Sequence, residues 1–349
     1  MSNETIFFSI FILFIICMLS LDLGVFNKNV HVVSLKESLF WTMTWVGLSL
    51  GFYIIIYFHG NLIHGLETSE DVLVNINKFS HPINVLGVSD SQAINLYNHN
   101  LSLEFITGYL IEYTLSIDNI FVIIMIFTAF GIDKLYYHKI LFWGILGALV
   151  MRFIFIFLSS VLIQEFEWVL YLFGILLVFT GIKMLITKEK KIDTENHFVV
   201  RFASKHFPVD KTYKGEKFII IKNGKKLITP LMIVLLVIEF SDVLFAVDSV
   251  PAIFSVTKDP FIVFFSNIFA IIGLRSLFFL LINIIDLFRF LKTGVSVLLT
   301  VIGIKMLIPH AWMEEIGFKP VHSLYLVLGI LCISILASLV FLQKKETHS

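Results

Sequence analysis

Along this chain, apolar residues gather into long runs instead of alternating with polar ones, and nine of the runs reach or approach the roughly 20 residues that a helix needs to cross a bilayer. They fall at about 5–24, 38–58, 101–127, 140–163, 168–187, 228–256, 261–285, 293–309 and 321–342. The pattern predicts an all-α polytopic membrane protein with about nine transmembrane helices. The first run opens on Ser2, Asn3 and Glu4, with no positive leader and no small-residue cleavage site behind it, so it reads as a retained span.

Composition sharpens this picture. Of 349 residues 58% are apolar and only 15% charged, and the mean hydropathy is +0.91, which excludes an ordinary soluble domain. The 37 phenylalanines exclude a disordered chain. Twenty-six basic residues balance 26 acidic ones, leaving no polybasic footprint for nucleic acid. Cys17 and Cys332 sit inside apolar runs near opposite ends of the chain and read as small hydrophobes.

The balance hides an asymmetry. Assigned to alternate sides of the nine spans, the loops carry 19 lysines and arginines on one side and only Lys78, Lys258 and Lys319 on the other. The positive-inside rule then puts the N-terminus outside and the C-terminus in the cytoplasm of an inner (plasma) membrane protein. Eleven of the basic residues lie between Lys188 and Lys226; this loop reads as a solvated linker that pins the topology.

The hexapeptide Gly-Ile-Lys-Met-Leu-Ile occurs at Gly181–Ile186 and again at Gly303–Ile308. Arg152 and Arg275 stand 31 and 30 residues before the two hexapeptide lysines, Lys183 and Lys305. Further upstream each unit opens with two acids six apart, Glu112 and Asp118, then Asp242 and Asp248. Three spans are thus used twice, and because three is odd the second copy enters from the opposite side, the inverted-topology repeat typical of secondary transporters. The expected divisions are 1–100, two helices and an extracytoplasmic loop; 101–187, the first repeat unit; 188–227, a basic cytoplasmic loop; 228–309, the second unit; and 310–349, a ninth helix and tail.

An acid at the bilayer centre costs about 3 kcal/mol on insertion scales, yet the third span carries Glu104, Glu112 and Asp118 and the sixth carries Glu239, Asp242 and Asp248. Asp118 and Asp248 lie six beyond their partners, off the same helical face, and Pro251 follows closely; two discontinuous helices, unwound around a cavity, are expected. Carboxylates with Asn119 and Ser249, without thiolate or imidazole, suit Mn²⁺, Mg²⁺ or Ca²⁺. Arg152 and Arg275 are expected to anchor one carboxylate each, with Glu104 at the interface. Lys183 and Lys305 are expected to snorkel. The loop 59–100, with His59, His64, His81 and His99, reads as solvated.

Glu104–Val122, Asp248–Phe254 and Ser266–Arg275 resemble the motifs of the TerC/Alx family within the LysE-type transporter superfamily, a likeness running from about Trp41 through the ninth span. It implies a multi-pass inner-membrane protein, associated with tellurium resistance by name and, in better understood relatives, with manganese efflux. On this resemblance the family's site positions fall on Glu112, Asp118, Asn119, Glu239, Asp242, Asp248 and Ser249. Thr114-Leu115-Ser116 departs slightly, where relatives often have Ser-Leu-Ser. The leading expectation is a transporter, not an enzyme, that exports a divalent cation, Mn²⁺ foremost, by proton exchange and carries no resident cofactor. The rivals are an oxyanion transporter of tellurite type and a scaffold or insertion factor for membrane proteins.

Overall fold

A computed structural model describes residues 3–26, 33–166, 168–186, 198–210, 217–222, 224–284, 290–308, 312 and 320–340. Among the described residues twelve α-helices carry the fold. Helix α1 spans Asn3–Phe26, and α2 spans Leu35–His59, started by Ser34, whose hydroxyl accepts from the Glu37 amide. Helix α3, Ser69–Phe79, opens on a reciprocal Thr68–Asp71 capping box. The central helix α4, Asp90–Ala129, has 40 residues, about 60 Å at 1.5 Å per residue. Then come α5 (Tyr137–Glu165), α6 (Trp168–Ile186) and the short α7 (Phe198–His206). Helix α8 runs Pro230–Phe254, α9 Pro260–Ile272, α10 Leu274–Ile284, α11 Leu291–Leu307 and α12 Pro320–Val340.

Among the described residues seven helices are long and apolar enough to span a bilayer, and α9 with α10, bent by 44° at their junction, are so when taken together. The remaining expected span, α11, is only 17 residues long, about 25 Å. It packs against α6, α12 and α4. The protein is therefore a multi-pass, essentially all-α integral membrane protein. The basic segment is more than a linker: its described part holds α7 and an antiparallel ribbon of β1 (Ile219–Lys222) and β2 (Lys225–Ile228), turned at Gly224 with φ +75°. Its lysines at 188, 190, 191, 211 and 214 lie outside the described residues.

Both expected helix breaks are absent. Helices α4 and α8 run unbroken through Asp118 and Asp248. Pro251 sits in the last turn of α8, where a missing donor affects one carbonyl close to the helix end, so the helix continues. The bend falls instead at Gly273, between α9 and α10.

Helix α4 packs against α2, α8, α9 and α12, while α5 lies against α8 and α9. Phenylalanines fill the space beside it: Phe11 and Phe265 approach to 4.3 Å and Phe52 and Phe269 to 4.9 Å, in tilted contacts. The two hexapeptides lie at opposite ends of the α6–α11 pair, each packed against the stretch that precedes the other. A β-carbon on Gly181 would lie 2.7 Å from the Ser296 carbonyl, and one on Gly303 would lie 2.7 Å from the Gly174 carbonyl. Each repeated glycine thus abuts the residue seven before the other, so the backbones touch through small residues.

Candidate functional site

Six residues along an unbroken helix turn the side chain about 120° around its axis. The two acids of each pair therefore serve different places. Glu112 and Asp242 point to Arg152 of α5. Its Nη1 is 3.0 Å from Glu112 Oε1 and its Nε 3.9 Å from Asp242 Oδ2. Arg152 also donates to the Ser249 hydroxyl, and Asn267 Nδ2 donates to Glu112 Oε2 at 3.0 Å. Arg152 is 1% exposed and Glu112 not at all. One guanidinium facing two carboxylates leaves a negative charge in excess when both are ionised, and Asp242 Oδ2 finds no hydrogen-bond partner.

Asp118 and Asp248 turn the other way, into one cavity of about 350 Å³ between α4, α6, α8 and α11. Asn119 and Ser249 join them. Thr180, one residue before the first hexapeptide, donates to Asp248 Oδ1 at 2.9 Å. Lys183 and Lys292 share the cavity wall, as do Met125 and Met184. The lining extends toward the C-terminal ends of α4 and α6 and the N-terminal end of α11, where Met125, Met184 and Lys292 stand.

The seven expected site residues are thus separated. Four line the cavity, Glu112 and Asp242 hold Arg152, and Glu239 lies apart, its carboxylate seated against Gly147 where a β-carbon would come within 2.1 Å of it. Arg275 is buried in α10, 4% exposed. Among the described residues no three His, Cys, Asp or Glu side chains converge closely enough to hold an ion. Thr180, Asn267 and Lys292 are missed by reading acids alone; Asn267 lies within the Ser266–Arg275 motif, so a buried amide eight before an intramembrane arginine was its signal.

At the opposite end the structure overturns three expectations. The 59–100 segment is not simply solvated: His64 and His81 are each 1% exposed. His64 bridges Glu4 of α1 (Nδ1 to Oε1, 2.8 Å) and Asp259, the residue capping α9 (Nε2 to Oδ2, 2.9 Å). Burial works against its proton, but the charge of Asp259 and the hydrogen bonds of Asp259 and Glu4 outweigh it and push its pKa up to about 9. Glu104 is not interfacial; it is 1% exposed and held by His81 Nδ1 at 2.9 Å and Asn100 Nδ2 at 2.7 Å. Lys305 does not snorkel: its ammonium lies inside, donating to the Ser255 carbonyl and the Ser323 hydroxyl, each at 2.9 Å. In each case a buried partner supplies what water would have supplied.

A multi-pass bundle with acids and arginine buried in its spans belongs to a recognisable class of membrane protein. Residues 97–347 match the family model described as "Integral membrane protein TerC family", and the chain belongs to that family. It is 42% identical over 330 residues to the uncharacterized membrane protein STKORF319 of Myxococcus xanthus, covering 95% of this chain and 91% of that one. It is 40% identical over 326 residues to a Salmonella typhi protein named "Putative membrane-bound redox modulator Alx", covering 93% and 91%. The protein of that name in Escherichia coli (strain K12) is 40% identical over 315 residues, covering 90% and 88%. No solved structure matches the chain.

Proposed function

We propose that this protein is a secondary transporter that exports a divalent metal cation, Mn²⁺ foremost, by exchanging it for protons. One observation carries the reading: corresponding aspartates of the two repeated motifs, Asp118 and Asp248, line a single intramembrane cavity together with Asn119 and Ser249. Oxygen donors of this kind suit a hard divalent ion. Two units of three spans, entering the membrane from opposite sides, account for the duplication and for the reciprocal Gly181 and Gly303 contacts. Rocking of one unit against the other would expose the cavity alternately to the two faces, and carboxylates that bind either metal or proton couple the two fluxes.

Lys183 and Lys292 on the same wall favour a rival cargo, an oxyanion of tellurite type. The two are separated by one experiment on purified full-length protein in proteoliposomes. Asp118→Asn and Asp248→Asn are each expected to reduce Mn²⁺ flux at least about tenfold, a change of about 1.4 kcal/mol, with membrane insertion intact because a midplane charge has been removed. Normal Mn²⁺ flux in both variants would sink the cation reading. Tellurite flux lost in Lys183→Met and Lys292→Met, with no Mn²⁺ flux in the parent, would establish the rival.

A further inference from the structure

Glu104 and His81 have no part in the cavity, yet they form a buried carboxylate–imidazole pair, each 1% exposed, at the end of the molecule that the loop charges assign to the outside. Both hydrogen bonds to Glu104, from His81 and Asn100, converge on Oε1. Its other oxygen, Oε2, is buried and finds no partner in the protein, and neither does His81 Nε2. An uncompensated buried carboxylate oxygen is costly. A proton or a water satisfies it.

The surroundings connect this pair to the surface. Phe79 lies between the two imidazoles, 5.4 Å from the ring of His64 and 6.0 Å from that of His81. Asp259, bonded to His64, also acts electrostatically on His81. Glu4, bonded to the far side of His64, is 32% exposed and lies 3.9 Å from the half-exposed Lys78. Lys258 reaches the Ser80 hydroxyl nearby, and the Tyr97 phenol is bonded to Asn75. Inward, the Lys305 ammonium of α11 feels the charge of Glu104. It lines a second cavity, of about 230 Å³, with Ile111, the neighbour of Glu112. Glu104 precedes Glu112 by eight residues, about 12 Å along α4.

We propose that Glu104, positioned by His81 and Asn100, is a proton-loading site through which protons enter from the outer face on their way to the carboxylates that release the cation. The proton comes from outside water, forms an O–H bond at Glu104 Oε2, and leaves toward the Glu112 region, where each proton delivered removes one negative charge. His64 with Glu4 and Asp259 forms a second buried polar group at the same end, next to the pair across the Phe79 ring. This inference deepens the exchange reading and rests on it for its direction, though the protonation site itself can be observed without any transport.

The test uses the full chain in proteoliposomes with Mn²⁺ as the probe and measures two fluxes, accumulation driven by a proton gradient and one-for-one exchange of Mn²⁺ across the membrane at equal pH, which moves no net proton. In Glu104→Gln and His81→Asn the driven flux is expected to fall about tenfold or more while the Mn²⁺-for-Mn²⁺ exchange stays within about twofold. Glu104→Asp should restore part of the driven flux. Driven flux equal to the parent's in Glu104→Gln, or loss of both fluxes together, overturns the proposal, the second outcome assigning the pair a structural role. Infrared difference spectra supply the independent measurement. A protonated-carboxyl band should be present in the parent and be missing from Glu104→Gln. That result supports the site even if the parent moves no Mn²⁺, in which case only the exchange reading fails; a band unchanged by Glu104→Gln overturns the site.

Discussion

At the scale of single residues, His64 shows how much of the outer end depends on one proton. Its imidazolium ties the start of α1, the turn after α2 and the cap of α9 through Glu4 and Asp259. Its pKa rises from 6.5 to about 9 on folding. A raised pKa means that the folded state holds the proton more tightly, so the stabilisation is complete below about pH 6.5 and is lost as pH climbs through about 9. The melting temperature of the detergent-solubilised protein is therefore expected to fall between these values, and His64→Gln should flatten that part of the profile; equal slopes in the two proteins would remove His64 as the cause. Little of this is legible in the sequence. His64, Glu4 and Asp259 are 60 and 195 residues apart, and only tertiary packing turns separate polar positions into one buried triad. The intramembrane acids are legible, because no hydrophobic run needs a charge and an insertion cost of about 3 kcal/mol each marks them. Their separate destinations are not: six residues of helix decide whether a carboxylate meets Arg152 or the cavity, and the sequence alone invites a helix break to reconcile them.

At the scale of elements, most spans are legible because length and apolarity are set by the bilayer, but α4 begins at Asp90, 11 residues before its apolar run, and α11 has only 17 residues. The bend at Gly273 is harder to foresee. Glycine there lacks an obvious flag, whereas Pro251 raises one and leaves α8 unbroken. The repeated hexapeptide is also legible, and the structure supplies a physical reason for its first residue. A β-carbon at Gly303 would stand 2.7 Å from both the Gly174 carbonyl and the Val178 amide nitrogen, and backbone cannot swing aside as a side chain would. Gly303→Ala is expected to destabilise the protein by about 1–3 kcal/mol, read as a lower melting temperature, while Gly47→Ala on α2, with nothing within 4 Å, should be neutral. A melting temperature unchanged by Gly303→Ala would show that α6 and α11 separate easily.

At the scale of the whole molecule, contacts alone sort the segments into two ends. The Glu4–His64–Asp259 triad gathers the start of α1, the end of α2 and the start of α9. Thr229 bonded to Phe218, and Lys139 lying 5.5 Å over the Phe218 ring, gather the basic segment with the starts of α8 and α5. This sorting agrees with the charge asymmetry of the loops. A reporter active only outside the cytoplasm should accordingly signal when fused after Asp90 and stay silent when fused near Asp210; signals from both, or from neither, would undo the proposed orientation. The cavity bears on one more property. Asp118 lies 11 residues before the end of α4, about 16 Å, so water filling the cavity from the side of that helix end would carry the potential of that compartment deep into the bundle. The membrane voltage, worth about 2.3 kcal/mol per elementary charge for each 100 mV, would then drop chiefly across the thin dry layer between the cavity and the opposite face. A charge exchanged between the adjoining solution and Asp118 would cross little of that field, whereas one passing between Glu104 and Glu112 would cross most of it, and the voltage sensitivity of turnover would reside in that second step.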